Sequence, residues 1–89
     1  MKYDGIKPIR LTNHAKEQCD ERGVSATEVT KTIQEQIWFP AKKKRLECKA
    51  SYIHSDFWNG NFYANKEVRP IFVDEPKEIV VVTVYAYYN

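Results

Sequence analysis

The sequence has few of the residues on which metal sites, disulfide frameworks and nucleotide-binding loops depend. Its 89 residues include two cysteines, two histidines and three glycines. Cys19 and Cys48 fit neither a disulfide framework nor a metal-ligand spacing, and the two histidines are too far apart in sequence to complete a metal-ligand cluster. No glycines are grouped as a phosphate-binding loop requires. We therefore expect no metal and no cofactor, and we expect both thiols to be small buried core residues.

The chain also lacks an apolar run long enough to cross a bilayer. The longest, Glu78 to Tyr88, has 11 residues, whereas a spanning helix needs roughly 20. The first ten residues contain no stretch typical of a signal peptide. The length of the chain predicts a single domain over residues 1–89, and these absences predict that it stays in the cytoplasm and has no membrane partner.

Capping signals predict a first helix over Asn13–Arg22. Thr12 or Asn13 is its expected N-cap, because a short polar side chain there accepts from a free amide of the first turn. Gly23 follows directly and supplies the left-handed residue that ends many helices. The helix is therefore expected to stop at Arg22.

A second helix is predicted to begin at Ala26. Ser25–Glu28 is a capping box, in which the glutamate side chain reaches back to the serine amide. Pro40 is the expected stop, because the residue before a proline avoids the helical region. The apolar stripe of this helix, which needs a sheet to bury it, consists of Val29, Ile33 and Ile37.

The remaining sequence predicts about four antiparallel strands. Asn59-Gly60, between aromatic residues, is a strong hairpin signal. Pro70 cannot donate to a ladder and is expected at an edge or a bulge. The predicted fold is α+β, with two N-terminal helices packed on a roughly four-stranded antiparallel sheet. The expected strands are a short edge strand near Lys7–Arg10, a half-buried strand over Leu46–Ile53, a strand over Lys66–Val73 and the closing strand Glu78–Tyr88.

The closing strand is the most apolar segment and is expected at the centre of the sheet. Side chains alternate along a strand, which gives it two faces. The aliphatic face is expected under the helices, and the face with a hydroxyl and phenols is expected to be open to a ligand. If the faces are exchanged, Thr83 and Tyr85 become core residues. The helix-facing set is Val80, Val82, Val84, Ala86 and Tyr88, and the open set is Ile79, Val81, Thr83, Tyr85 and Tyr87.

Basic and imidazole side chains are the first candidates for chemistry. His14, in the first turn of the first helix, suits proton transfer beside a phosphodiester, or else packs its ring against the sheet or hydrogen-bonds the chain near the cap. Arg22 either holds phosphate or meets the carbonyls at the helix end. The run Lys42–Arg45 gives local positive potential although the net charge is only +2. It either neutralises an RNA backbone or forms a solvated loop.

Further candidates depend on how the strands pair. In one register Arg69 meets Thr83 and Tyr85, which brings a guanidinium, a hydroxyl and a phenol together. Such groups suit a ribonuclease without a metal, because RNA carries its own nucleophile in the 2′-hydroxyl and the protein need only position phosphate, stabilise charge and move protons. Four aromatic residues beside the hairpin either stack on bases or pack beneath the hairpin. They are Phe57, Trp58, Phe62 and Tyr63.

Four motifs follow one another along the chain: Thr12–Ala15 (TNHA), Glu21–Ser25 (ERGVS), Pro40 and Val81–Tyr85 (VVTVY). In these motifs the chain resembles the domain of unknown function family 4258, and through it the RelE/ParE-like and BrnT-like toxins. The resemblance implies a RelE-like toxin fold with helices on a curved antiparallel sheet, and an antitoxin that covers the active face. It also implies the signature positions His14, Arg22, Thr83 and Tyr85.

The leading hypothesis is a toxin-like, metal-independent endoribonuclease from a toxin-antitoxin pair, cleaving RNA through 2′-hydroxyl attack. The alternative is a non-catalytic RNA- or protein-binding module of the same fold. RNA and an antitoxin protein are the expected partners, and a homodimer is left open. The predicted catalytic residues are His14, Arg69, Thr83 and Tyr85, and the predicted RNA-binding residues are Arg22, Lys43, Lys44, Arg45 and Lys66.

Overall fold

Two helices cover one face of a six-stranded mixed sheet in the computed structural model, which describes residues 1–89. The α+β prediction is confirmed. Neither helix is long and apolar enough to span a membrane. A 3-10 turn, Lys42–Lys44, connects the second and third strands. The elements are β1 (Ile9–Leu11), α1 (Asn13–Arg22), α2 (Ala26–Glu35), β2 (Phe39–Ala41), β3 (Arg45–Glu47), β4 (Ala50–Trp58), β5 (Asn61–Asp74) and β6 (Ile79–Tyr88).

The sheet has more strands than predicted, and it is not wholly antiparallel. Its order is β1-β6-β5-β3-β2, with β4 pairing with β5 beyond β3. β1 runs parallel to β6, and all other pairs are antiparallel. The prediction of roughly four antiparallel strands is therefore wrong. β1 overlaps the short edge strand predicted near Lys7–Arg10, and the single strand predicted over Leu46–Ile53 is divided into β3 and β4. β2 was not predicted, because its three residues carry too little alternation to indicate a strand.

The predicted start and end of α1 are confirmed. The Ala15 amide donates to the Thr12 hydroxyl at 3.1 Å, so Thr12 is the N-cap. Gly23 has a φ of 69°, and its amide donates to the Cys19 carbonyl. A residue with a Cβ is strained in this left-handed conformation, which explains why glycine stands here.

α2 begins as predicted but ends earlier. The Glu28 amide donates to the Ser25 hydroxyl at 3.1 Å, and the Glu28 carboxylate accepts from the Ser25 amide at 2.9 Å. The last helical residue is Glu35 rather than one next to Pro40. Ile37 therefore lies beyond the helix and is 60% exposed, so its predicted place on the apolar stripe is wrong.

One apolar core fills the space between the helices and the sheet. Trp38 replaces Ile37 as the buried residue after α2, and its indole N–H donates to the Ile33 carbonyl at 2.9 Å. Both cysteines are buried in this core, as expected. The core consists of Leu11, Ala15, Cys19, Val24, Val29, Ile33, Trp38, Cys48, Val68, Phe72, Ile79, Val81 and Val84.

A β-bulge gives β6 a different alternation in each half. Thr83 pairs with Ile71, and Val81 pairs with the next residue of β5, Phe72, so Val82 has no partner. One extra residue reverses the facing of the strand on either side of it. The predicted faces are correct after the bulge and wrong before it. Ile79 and Val81 are buried under the helices, whereas Val80 and Val82 are only half-buried and line a depression on the open face.

α1 covers the edge of β6 that β1 leaves unpaired. The Val84 amide donates to the Gln18 side-chain oxygen at 2.8 Å, and the Arg22 guanidinium donates to the Val84 carbonyl. The unpaired N–H and C=O groups of a strand edge pair readily with other chains. Here those of Val84 are hydrogen-bonded to the two side chains of α1 instead. The backbone of Val84 thus points towards α1.

Pro70 lies in β5 opposite Val84. The two residues form a pair without hydrogen bonds between their backbones. The N–H and C=O of Val84 point towards α1, so the backbone of Pro70 points away from β6, into the gap between the ends of β3 and β4. Residues 48 and 49 there form no ladder with β5. The missing N–H therefore falls at a break in the sheet, as a proline requires.

The Asn59-Gly60 hairpin turn between β4 and β5 forms as predicted, with positive φ at both positions. On one side of the hairpin, Trp58 stacks on Tyr88 with ring centres 5.0 Å apart. On the other side, Phe57 and Phe62 meet edge to face at 5.6 Å and stay largely exposed. Only one side of the hairpin therefore packs against the body of the protein.

Candidate functional site

A groove of about 510 Å³ lies on the face of the sheet that the helices leave open. β6 forms one side of it, β5 the floor, and β3 with the basic 3-10 turn the other side. Its residues are mostly polar or charged, in contrast to the apolar face under the helices. The lining residues are Ala41, Lys42, Lys43, Arg45, Glu47, Arg69, Ile71, Thr83, Tyr85 and Tyr87.

Strand pairing brings the predicted central residues together. Arg69 pairs with Tyr85, and Ile71 pairs with Thr83. Directly paired residues project from the same face of a sheet with their Cβ atoms about 5 Å apart. The guanidinium, the phenol and the hydroxyl therefore meet on the floor and one side of the groove. This is the register on which the sequence argument depended.

The groove is strongly basic for its size. Four of its side chains are cationic and one, Glu47, is a carboxylate. An Arg69 N–H donates to Glu47 at 2.7 Å, and this hydrogen bond raises the pKa of Arg69 above its ordinary value. Lys42, Lys43 and Arg45 have no carboxylate within ion-pair distance. Three free cations therefore face the groove, beside an arginine that the glutamate holds in place.

The turn that carries the lysines has a strained backbone. Lys43 and Lys44 have φ angles of 61° and 60°, a region that costs a non-glycine residue about 1–2 kcal/mol. The Arg45 amide closes the turn on the Lys42 carbonyl. Lys43 lines the groove, whereas Lys44 is exposed and does not. Of the predicted basic run, Lys44 is thus the member that the structure leaves outside.

Arg22 lies behind the groove rather than in it. Its guanidinium carbon is 5.3 Å from the centre of the Tyr85 ring, while the same guanidinium donates to the Val84 carbonyl. A cation over an aromatic ring is attracted to its electron-rich face. Arg22 therefore supports Tyr85 and does not line the groove as a phosphate ligand would.

His14 is exposed on α1, in the layer of the helices, and lines none of the cavities. It lies one helical turn before Gln18 and two before Arg22, so the three share one stripe of the helix. Gln18 and Arg22 both bind the edge of β6 at Val84. His14 therefore lies on the stripe of α1 that faces this edge, and it is outside the groove.

Lys66 is on the opposite face of the sheet, and its predicted role in RNA binding is not supported. It is 7% exposed, and its ammonium donates to the Gly23 carbonyl at 2.9 Å and to Glu28 at 3.0 Å. Burial alone would raise the pKa of Glu28, but hydrogen bonds from the Ser25 amide and from Lys66 bring that pKa below its ordinary value. Lys66 therefore joins α2 to the sheet.

Three polar or charged residues of the groove were missed from the sequence. Lys42 was part of the recognised basic run, and Tyr87 shares the alternation of Tyr85, so both had a signal. Glu47 had none, because its position opposite Ile71 follows from the pairing of a three-residue strand. No three His, Cys, Asp or Glu side chains cluster closely enough to hold a metal ion.

A second depression, of about 540 Å³, lies on the same open face near the turn before β6. Val73, Val80 and Val82 line it, together with Arg10 and Glu78. These two charges pair with each other at 3.0 Å, and the remaining charged lining residues, Glu75 and Lys77, are one acid and one base, so the depression has no excess of either charge. The basic groove is the better candidate for recognition of a charged molecule.

Comparison with known proteins assigns the chain at the level of a family. The model of a family described as "Domain of unknown function (DUF4258)" matches residues 11–86. No curated protein and no solved structure matches the chain. The matched residues include α1, α2 and almost all of the strands that build the groove.

Proposed function

Because the chain belongs to the DUF4258 family, whose description names no activity, we propose from the groove itself that the protein binds RNA and cleaves it internally. The observation that carries the proposal is the composition of the two sides of the groove. Three cations without carboxylate partners stand on one side, and the hydroxyls of Thr83, Tyr85 and Tyr87 stand on the other. Cations attract the phosphates of RNA, and phenol rings stack on its bases.

RNA supplies the nucleophile for the proposed reaction. The 2′-oxygen attacks the adjacent phosphorus and loses its proton, the bond from phosphorus to the 5′-oxygen breaks, and that oxygen gains a proton. The products are a 2′,3′-cyclic phosphate and a free 5′-hydroxyl. Negative charge accumulates on the phosphoryl oxygens in the transition state, where positioned cations stabilise it.

Each side chain of the proposed site has a separate task. Arg69 presents its remaining N–H groups to the phosphate, since Glu47 already holds one of its nitrogens. Lys43 and Arg45 hold the flanking backbone, and Thr83 with Tyr85 borders the scissile position. His14 is the proposed proton-transfer residue; because it lies outside the groove on α1, this role requires the RNA to extend past the edge of β6 to that helix.

We further propose that the fold is RelE-like and that the protein is the toxin of a toxin-antitoxin pair. Two helices on one face of a largely antiparallel sheet, with the other face free, are consistent with that architecture. The same free face is where an antitoxin would bind. A homodimer is a further proposed assembly.

The test is degradation of RNA by purified protein in EDTA, followed by analysis of the product ends. We expect 2′,3′-cyclic phosphates, with slower cleavage for Arg69→Gln and for His14→Ala. Lys16→Gln, an exposed change on α1 away from the groove, is the control and should cleave at the wild-type rate. Intact RNA at high concentrations of folded wild-type protein would refute the enzymatic proposal.

One observation favours a second candidate, a non-catalytic RNA-binding module. His14 lies outside the groove, and Glu47, the carboxylate of the groove, already accepts from Arg69. The groove therefore has no free imidazole or carboxylate to accept a proton. Under this alternative the protein binds RNA but leaves it uncut, and tightly controlled expression does not arrest growth. Growth arrest that depends on Arg69 would favour the nuclease.

A further inference from the structure

Two tyrosines lie side by side on the groove wall that β6 forms. Tyr85 and Tyr87 are separated by one residue, follow the bulge and project from the same open face. Alternate residues of a strand are about 6.6–6.8 Å apart. Tyr85 is 39% exposed and Tyr87 is 47% exposed, so both rings are accessible from the groove.

The surroundings of the two rings leave aromatic surface free for a ligand. Arg22 approaches Tyr85 at 5.3 Å and fixes that ring. Tyr87 pairs with Glu67 across the ladder and has no stacked ring or overlying cation. The other aromatic residues near the end of β6 gather around Tyr88 on the helix face instead.

Charge is divided across the groove in a way that orients a nucleotide. Lys42, Lys43 and Arg45 stand on the side of β3, two strand spacings from β6, which is about 10 Å. Glu67 lies next to Tyr87 and repels phosphate from that side. A bound chain therefore places its phosphates along the lysine turn and its bases over the tyrosines.

We propose that Tyr85 and Tyr87 form a stacking platform for two adjacent unpaired bases, so that the ligand of the groove is single-stranded RNA and not duplex RNA. This inference rests on the proposed RNA-binding function. In a duplex the faces of the bases are covered by their neighbours, and a tyrosine cannot stack on them. Stacking depends on the ring and not on the hydroxyl, so Tyr87→Phe retains it and Tyr87→Leu loses it.

The experiment measures binding by fluorescence anisotropy, with a labelled six-nucleotide RNA in which every sugar is 2′-O-methylated. This probe has no 2′-hydroxyl, so binding is measured without cleavage. Loss of one stacked base is expected to weaken binding about 5- to 160-fold for Tyr87→Leu. Tyr87→Phe is expected to stay within about twofold of wild type. The same strand annealed to its complement is expected to bind at least about tenfold more weakly than the single strand.

Several outcomes would overturn the platform. They are absence of binding of the single strand to wild type, equal binding of single strand and duplex, wild-type affinity in Tyr87→Leu, and equal losses in the leucine and phenylalanine variants. Circular dichroism and a thermal melt show whether each variant is folded, and a misfolded Tyr87→Leu is replaced by Tyr87→Met. The cleavage assay uses unmodified RNA, so cleavage without base stacking refutes only the platform, and stacking without cleavage refutes only the nuclease.

Discussion

Replacing Lys43 with glutamine is expected to weaken the dependence of RNA binding on salt. A protein that neutralises phosphates of a single strand releases counterions, and the slope of log affinity against log salt is about −0.7 for each phosphate contacted. The groove has three cations without partners, and Arg69 as a fourth. The wild-type slope is therefore expected between about −2.1 and −2.8. Affinity should fall about 20- to 50-fold between about 50 and 200 mM salt.

Lys43→Gln should reduce the magnitude of this slope by about 0.7. Glutamine keeps a side chain of similar length, and it meets the same backbone strain at a φ of 61°, so the comparison isolates the charge. The assay is anisotropy of the 2′-O-methylated hexanucleotide at four or more salt concentrations. Lys44→Gln, which removes a lysine from the same turn but outside the groove, is the matched control.

An unchanged slope in Lys43→Gln would refute the assignment of the groove as the phosphate-binding surface. Equal reductions in Lys43→Gln and Lys44→Gln would refute the distinction between the two lysines. In that case the basic run attracts RNA only through its general field. A slope near zero in the wild type would mean that phosphate contacts do not drive binding.

Three further predictions concern the framework behind the groove. Gly23→Ala should lower the free energy of unfolding in urea by about 2–5 kcal/mol, because its Cβ would lie 2.6 Å from the Trp58 ring. A Cβ at Gly60 would meet no atom within 4 Å, so Gly60→Ala should lower the free energy of unfolding by only about 1–2 kcal/mol. Equal losses in the two variants would contradict the predicted clash with Trp58. The hydrogen bonds that lower the pKa of Glu28 stabilise the fold at neutral pH, where the carboxylate is ionised. This contribution is lost as the pH falls through that pKa, which lies below the ordinary value of 4.5. The stability difference between wild type and Glu28→Gln should therefore shrink in acid, and a constant difference in urea melts across that range would contradict it. Burial raises the pKa of Cys48 to about 12, so a thiol reagent at about pH 8 should modify it only after unfolding; rapid labelling of the native protein would contradict this burial.

Local chemistry was sufficient to predict both helix starts, the end of α1 and the hairpin. The Thr12 cap, the Gly23 stop and the capping box at Ser25 depend on hydrogen bonds between residues close in sequence. The Asn59-Gly60 turn depends on two residues that tolerate positive φ. Such features are encoded within a few positions, so a single sequence contains the whole signal.

The candidate site was predicted in part, for a reason that the bulge in β6 makes clear. Thr83 and Tyr85 were assigned to the open face, and they do lie there, together with Arg69. The same alternation, continued through Val82, put Val80 on the wrong face. The extra residue of a bulge is accommodated by the partner strand and the core. No pattern within β6 marks it.

The sequence by itself determined the α+β class, both helix starts, the hairpin and the membership of a family, because each depends on short-range signals or on ordered motifs. Only the tertiary structure decided the six-stranded mixed sheet, the pairing of Glu47 with Arg69 and the place of Lys66. Lysine is normally solvated, and here it is buried because Glu28 and the Gly23 carbonyl, distant in sequence, meet it beneath the helices. Contacts of this kind depend on which segments pack together, and that choice is made by the fold as a whole.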